Sequence, residues 1–292
     1  MERVRPVITR IKILLEFVKF EHTLFALPFA YLGAILAKEG MPSPREWFWI
    51  TMAMVGARSA GMGLNRIIDR DLDAANPRTR IRPLQTNRMT LHEAKGLVIG
   101  AFLLFILSAV MLKPVCLWLL PLATTFLFLY SYVKRFSWAT HFVLGTVLAC
   151  APIGGWVAIR GQLNLIPILL GFSVLFWVAG FDIIYTTQDY DVDRRQGVHS
   201  LPAQLGIAKA LSVSRLLHLI SFVLIASVGV LEKLGLLFWL GFLGAGMFLI
   251  WEHRLIHPED LSGVNQAFFV MNGWVSVVLF AAVLLDKVWG LR

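Results

Sequence analysis

The chain has little of what a water-soluble domain needs. Only 15% of its 292 residues are charged against 58% that are apolar, and the mean hydropathy is +0.71. Soluble globular domains carry roughly a quarter of their residues as charges, so that class is excluded. Cysteine is almost missing: Cys116 and Cys150 both fall inside apolar runs, which excludes a disulfide framework and a thiolate metal centre and leaves them as packing or lipid-facing residues. No polar stretch is long enough for a separate soluble domain. Acid is scarce as well, with 18 Asp and Glu against 27 Lys and Arg, for a net charge of +9.

Apolar runs are what the chain has in quantity. A helix needs roughly 20 apolar residues to cross a bilayer, and about nine such windows can be placed, at 20–38, 46–65, 94–112, 114–133, 138–159, 164–187, 210–231, 233–251 and 267–286. The expectation is an all-α polytopic membrane protein forming one domain over 1–292. The basic segment before span one (Arg3, Arg5, Arg10, Lys12) is followed by Lys19, Glu21 and His22, with no small-residue cleavage site before Pro28, so this span reads as retained. Most Lys and Arg residues lie in the N-terminal segment and in the connections after even-numbered spans. By the positive-inside rule these face the cytoplasm, in the cell inner (plasma) membrane. The positive charge is then a topology signal plus attraction to anionic lipid or an anionic substrate. Neither nucleic acid nor a protein partner is implied.

The few acids are concentrated. Asp69, Asp71 and Asp73 follow Asn65 at the end of span two, and Asp182, Asp189, Asp191 and Asp193 close span six. The two clusters make an internal near-repeat, with halves at about 20–133 and 138–251 and a last span at 267–286. On a helix, Asn65, Asp69 and Asp73 drift by only about 80° and share one face. Asp182, Asp189 and Asp193 fall within about 40° if the helix continues, and Tyr185 joins that side. Asp71 and Asp191 read as solvated.

Oxygen ligands in two facing sets suit Mg²⁺, which bridges carboxylates to substrate phosphates. Without metal, the carboxylates repel a phosphate, so a phosphorylated ligand makes the clusters Mg²⁺-dependent. Arg66 and Arg70 interleave with the first cluster, the loop from Asn76 through Arg78, Arg80 and Arg82 to Leu84 follows it, and Lys134 and Arg135 end span four. Guanidinium and ammonium groups match phosphate oxygens. For Arg80, Arg88 and Arg135, topology anchoring is an equal reading.

Together, Asn65-x3-Asp69-x3-Asp73, the Arg78-Thr79-x-x-x-Pro83 region, Tyr130-x3-Lys134 and Asp182-x2-Tyr185-x3-Asp189-x3-Asp193 resemble the UbiA superfamily of intramembrane aromatic prenyltransferases. Asn272 is also similar to the family, although a helix-packing amide explains it equally. The resemblance implies helices around a central cavity that opens laterally to lipid, with the Asp-rich motifs at its cytoplasmic end. It implies that Asn65, Asp69, Asp73, Asp182, Asp189 and Asp193 bind Mg²⁺ and diphosphate, with Lys134 as a further contact. It implies transfer of a polyprenyl group from polyprenyl diphosphate to the ring of an aromatic acid, with 4-hydroxybenzoate the first choice and a dihydroxynaphthoate the alternative.

Arg58 lies about two turns deeper than Asn65 on nearly the same face, where an unpaired charge costs at least about 2.5 kcal/mol. It needs an anion, either the acceptor's carboxylate or an acid of the clusters or Glu21. The segment from Lys19 to Pro28 lacks the Lys-Pro-x-Gly-like stretch of many relatives, and His199 stands where many have lysine; both departures bear on the acceptor. His22 and His199 are open as acceptor contacts or as ordinary polar histidines, while the other five histidines have no ligand spacing. A transporter would place its ionisable groups at the bilayer midplane, not at its edge. A phosphatidyltransferase would carry one Asp-rich signature, not two.

Overall fold

The computed structural model describes residues 4–19, 23–38 and 40–289. Among these it is all-helical, with a single isolated bridge between His257 and Asp260. In chain order the helices are α1 (Val4–Val18), α2 (Thr23–Leu36), α3 (Pro44–Ile68), α4 (Arg70–Ala75), α5 (Leu91–Met111), α6 (Pro114–Val133), α7 (Thr140–Arg160), α8 (Leu165–Thr186), α9 (Tyr190–Gln196), α10 (Leu201–Leu205), α11 (Ile207–Leu231), α12 (Leu236–Arg254), α13 (Val264–Gln266) and α14 (Asn272–Trp289). A π-helical turn, Ala267–Met271, joins α13 to α14.

Local chemistry sets several of the ends. Ser43 and Glu46 form a reciprocal capping box at the start of α3, and Thr90 and Glu93 do the same for α5. Pro44 and Pro114 stand at the first turns of α3 and α6, where a missing N–H leaves no bond unmade. Gly161 closes α7 at φ 72°, a left-handed conformation that suits glycine.

Among the described residues, seven helical segments are long and apolar enough to cross a membrane, where nine were expected. Span one coincides with α2, whose described apolar stretch, Ala26–Leu36, is shorter than a full span; Phe20, Glu21 and His22 lie outside the described residues. Span two coincides with α3, 25 residues long but interrupted by Arg58, Asn65 and several glycines. The reason is visible in the packing. Ala57, Arg58, Gly61 and Asn65 face an internal cavity, so this side of α3 need not match lipid.

Helix α2 is wedged between α7 and α14. It gets there because two glycines remove side chains at the crossing: a Cβ on Gly33 would collide with the Pro152 carbonyl, and one on Gly155 with that of Ala30. Small residues are the usual means of close helix approach in membranes. Around this contact the main core gathers Phe29, Trp177, Phe181, Phe238 and Leu279. Gly155→Leu is expected to destabilise the protein by roughly 2 kcal/mol or more through overpacking. Thermal unfolding in detergent checks it: an unchanged midpoint would show that α2 and α7 separate freely.

Candidate active site

Helices α2, α3, α6, α7 and α8 enclose a cavity of about 770 Å³. Most of its wall is apolar, with Leu119, Phe126, Val147, Ile153, Phe172 and Leu175 among the lining residues. One end is different, being built from Asn65, Arg66, Arg78, Arg82, Asp182 and Tyr185. An amphiphile with one anionic end fits this division of polarity.

Asp69 caps α3, its N–H donating to the Asn65 carbonyl at 2.8 Å. Only 1% of the residue is exposed. Its carboxylate accepts from Asn65 Nδ2 at 2.6 Å and meets Lys134 Nζ at 2.5 Å and Arg135 Nη2 at 3.2 Å. Burial pushes the Asp69 carboxyl up, and Lys134 and Arg135 pull it back only in part. One turn further on, Asp73 is held by Arg82 Nη1 at 2.5 Å.

The second cluster does not lie on one unbroken helix. Helix α8 ends at Thr186, and a 3₁₀ turn, Thr187–Asp189, intervenes before α9. The tighter turn sends the aspartates to different partners. Asp189 is gripped by Arg78, with Nε at 3.0 Å from Oδ1 and Nη2 at 2.5 Å from Oδ2, and also accepts from Asn76 Nδ2 at 3.0 Å. The same guanidinium donates to the Tyr185 hydroxyl at 2.8 Å. Burial opposes its charge, but the Asp189 carboxylate and Tyr185 override this and hold the Arg78 pKa above its ordinary value. Asp193 accepts from Ser200 Oγ at 2.7 Å, and Asp182 pairs with His141 Nδ1 at 2.7 Å.

Of the residues expected in the site, Arg58, Asn65, Arg66, Asp182 and Tyr185 line the cavity. Asp69, Asp73, Asp189 and Asp193 are buried but do not themselves line the cavity; the first three are bonded to Asn65, Arg82 and Arg78, which do, and Asp193 to Ser200, which does not. Arg70 is exposed, 3.5 Å from Asp71, and does not line the cavity; adjacent to Asp69 on a helical path, it projects about 100° away. Asp71 and Asp191 are exposed, as expected. Arg88 pairs with Glu16 at 2.7 Å, Arg80 is exposed, and only Arg135 of the three doubtful arginines reaches an aspartate. His22 lies outside the described residues, and His199 does not line the cavity.

Arg58 has no ion-pair partner among the described residues, and its Nε makes no hydrogen bond. The cluster aspartates are paired elsewhere, and Glu21 lies outside the described residues. Asn272 is buried away from the cavity, bonded to Glu252 at 2.7 Å, which is the helix-packing reading. Sequence reasoning did not single out Asn76, Ser200 or His141. Arg78 and Arg82 line the cavity while Arg80 is exposed, and no helical spacing could have signalled this in a run of turns.

Among the described residues, no three His, Cys, Asp or Glu side chains converge as a ready metal cluster, because the carboxylates are drawn to separate partners. By donor type the set still suits a hard divalent cation: it is carboxylate and amide oxygen, without thiolate.

The UbiA prenyltransferase family model matches residues 26–276. A 4-hydroxybenzoate octaprenyltransferase from Chromohalobacter salexigens is 33% identical over 255 residues, covering 86% of this chain and 84% of that protein. The apo structure of a UbiA homolog from Aeropyrum pernix K1 is 33% identical, with a TM-score of 0.83 over 91% of this chain and 98% of that one. A UbiA homolog from Archaeoglobus fulgidus, solved bound to DMAPP and Mg²⁺, shares the fold at 17% identity and a TM-score of 0.75, over 94% of this chain and 99% of that one.

Proposed function

Because this chain belongs to the UbiA prenyltransferase family, a family of multi-pass membrane enzymes, we propose that it transfers a polyprenyl group from polyprenyl diphosphate to the ring of 4-hydroxybenzoate, as in ubiquinone-type biosynthesis. The carrying observation is the cavity: apolar along most of its wall, cationic at one end, and holding Arg58, which has no ion-pair partner among the described residues. The likeness to 4-hydroxybenzoate octaprenyltransferases supports the acceptor. The N-terminus and the Asp-bearing loops face the cytoplasm of the inner membrane, and α2 and α3 bring the spans to nine, in two similar halves of four and a final span.

Asn65, Asp69, Asp73, Asp182, Asp189 and Asp193 would hold Mg²⁺, which supplies charge neutralisation at the departing diphosphate. Arg66, Arg78, Arg82 and Lys134 add fixed positive charge there, so the allylic carbon–oxygen bond breaks toward a site built for an anion. The prenyl tail lies along the apolar wall, which keeps water from the allylic cation. Tyr185, Phe181 and Phe268 line that region, with the Tyr185 and Phe268 ring centres 4.3 Å apart, and offer π faces to the cation. Arg58 takes the acceptor's carboxylate and turns the ring carbon beside the phenol toward the allylic carbon. Loss of that carbon's proton restores aromaticity.

The test is prenyl transfer by purified protein in lipid, with geranyl or longer diphosphate, Mg²⁺ or EDTA, and 4-hydroxybenzoate or 1,4-dihydroxy-6-naphthoate. Metal-dependent product from 4-hydroxybenzoate is expected; product from the naphthoate alone would overturn the acceptor. Arg58→Ala is expected to raise KM for 4-hydroxybenzoate by about 10-fold or more while leaving that for the diphosphate unchanged, the loss of one charged hydrogen bond. An unchanged acceptor KM would remove Arg58 from the pocket.

A further inference from the structure

We infer that His141 is a positioning residue for Asp182: a neutral imidazole, fixed with its proton on Nδ1, that holds the Asp182 carboxylate at the cavity wall. The inference rests on the proposed function for what Asp182 does, but not for how it is held.

His141 stands in the first turn of α7 and is fully buried, at 0% exposure. Its ring touches two partners. Nδ1 lies 2.7 Å from Asp182 Oδ2, and Nε2 lies 3.0 Å from the backbone nitrogen of Leu201. A backbone N–H can only donate, so Nε2 must be the accepting, unprotonated nitrogen. The ring proton of the neutral form is therefore on Nδ1, where it is donated to Asp182. With both nitrogens engaged, the ring has one orientation and one tautomer.

The turn that fixes the ring also fixes the neighbouring parts of the site. Ser200 Oγ donates to Asp193 Oδ2 at 2.7 Å, one residue before the N–H that meets His141. One residue earlier still, the His199 N–H donates to the Lys134 carbonyl at 2.8 Å, and Lys134 holds Asp69. Residues 199–201 thus tie together both ends of the second aspartate cluster and the lysine that serves the first. His141 is the link in this arrangement that reaches the cavity-lining carboxylate, and it does so from a position with no ligand-like spacing in sequence. Partners of this kind behind a metal- or phosphate-binding group orient it, and losing one typically weakens binding by about 10- to 100-fold.

Two measurements test this. Nitrogen-15 NMR of protein with labelled histidine, with the His141 signal assigned through His141→Asn, is expected to show a neutral ring protonated on Nδ1. A ring protonated on Nε2 overturns the inference, whatever the variants do. Calorimetric binding of Mg²⁺ with geranyl diphosphate is then compared across three substitutions. His141→Leu and His141→Gln are expected to bind roughly 10-fold or more weakly, whereas His141→Asn, whose amide N–H falls near the Nδ1 position, is expected to stay within about threefold of wild type. A general packing role would not separate Asn from Gln, so equal losses in both, or wild-type binding in Leu, overturn the inference. If the wild type binds no Mg²⁺ and geranyl diphosphate, the proposed function falls while the tautomer measurement still decides how Asp182 is held.

Discussion

Asp69→Ala is expected to lower the rate of prenyl transfer by at least about 100-fold, the scale seen when a fixed charge is removed from a preorganised site. Its carboxylate is buried and meets Lys134, Arg135 and Asn65 at once. Alanine removes one of the oxygen donors proposed for the divalent cation and also frees two cations that the carboxylate now holds in place. The variant leaves Lys134, only 26% exposed, without its partner. Breaking a buried ion pair costs about 3–5 kcal/mol, and the partial exposure of Lys134 and Arg135 brings the expected stability loss toward the low end. Asp69→Asn keeps the shape and removes the charge. It is expected to lose nearly as much activity as alanine while unfolding closer to wild type, which separates the chemical role from the structural one. Initial rates over a range of Mg²⁺ concentrations, with thermal unfolding in detergent, give both readings. An Asp69→Asn enzyme with wild-type kinetics would sink the assignment.

Arg78→Lys is expected to be almost as damaging as Arg78→Met, each costing roughly 100-fold in kcat/KM for the prenyl diphosphate, because the fork of the guanidinium and not its charge alone is used. One side chain spans both oxygens of Asp189 and the Tyr185 hydroxyl, and its guanidinium carbon lies 5.0 Å from the Tyr185 ring centre. Lysine has a point charge and cannot meet all three acceptors. Removing Arg78 also leaves the Asn76–Asp189 hydrogen bond to tie the loop after the first aspartate cluster to the 3₁₀ turn of the second. Steady-state kinetics on both variants decide the matter: an Arg78→Lys enzyme near wild type would mean that only net positive charge is needed there.

Much of the site was legible because membrane sequence is constrained. A carboxylate at the edge of an apolar run is costly unless it has a use, so Asp69, Asp73, Asp182, Asp189 and Asp193 stood out without any structure. Arg58 stood out for the same reason, and it lines the cavity without an ion-pair partner among the described residues. The count of membrane-crossing segments was less secure. Hydropathy registers what faces lipid, and α3 turns Gly61, Arg58 and Asn65 toward a cavity instead. Arg70 misled because alternation with aspartates in sequence is not proximity in space: on a helical path the neighbour of a buried residue points to water.

The sequence by itself determined the all-helical membrane class, the family, and which acids gather at the ends of two helices, since these follow from residue type and a fixed helical period. Only the tertiary structure decided which side chain holds which aspartate. Arg78 reaches Asp189 across 111 residues of chain and His141 reaches Asp182 across 41. Such pairings depend on how helices pack and where a 3₁₀ turn breaks the period, through contacts between glycines and facing backbones such as Gly155 and Ala30 that no local pattern encodes.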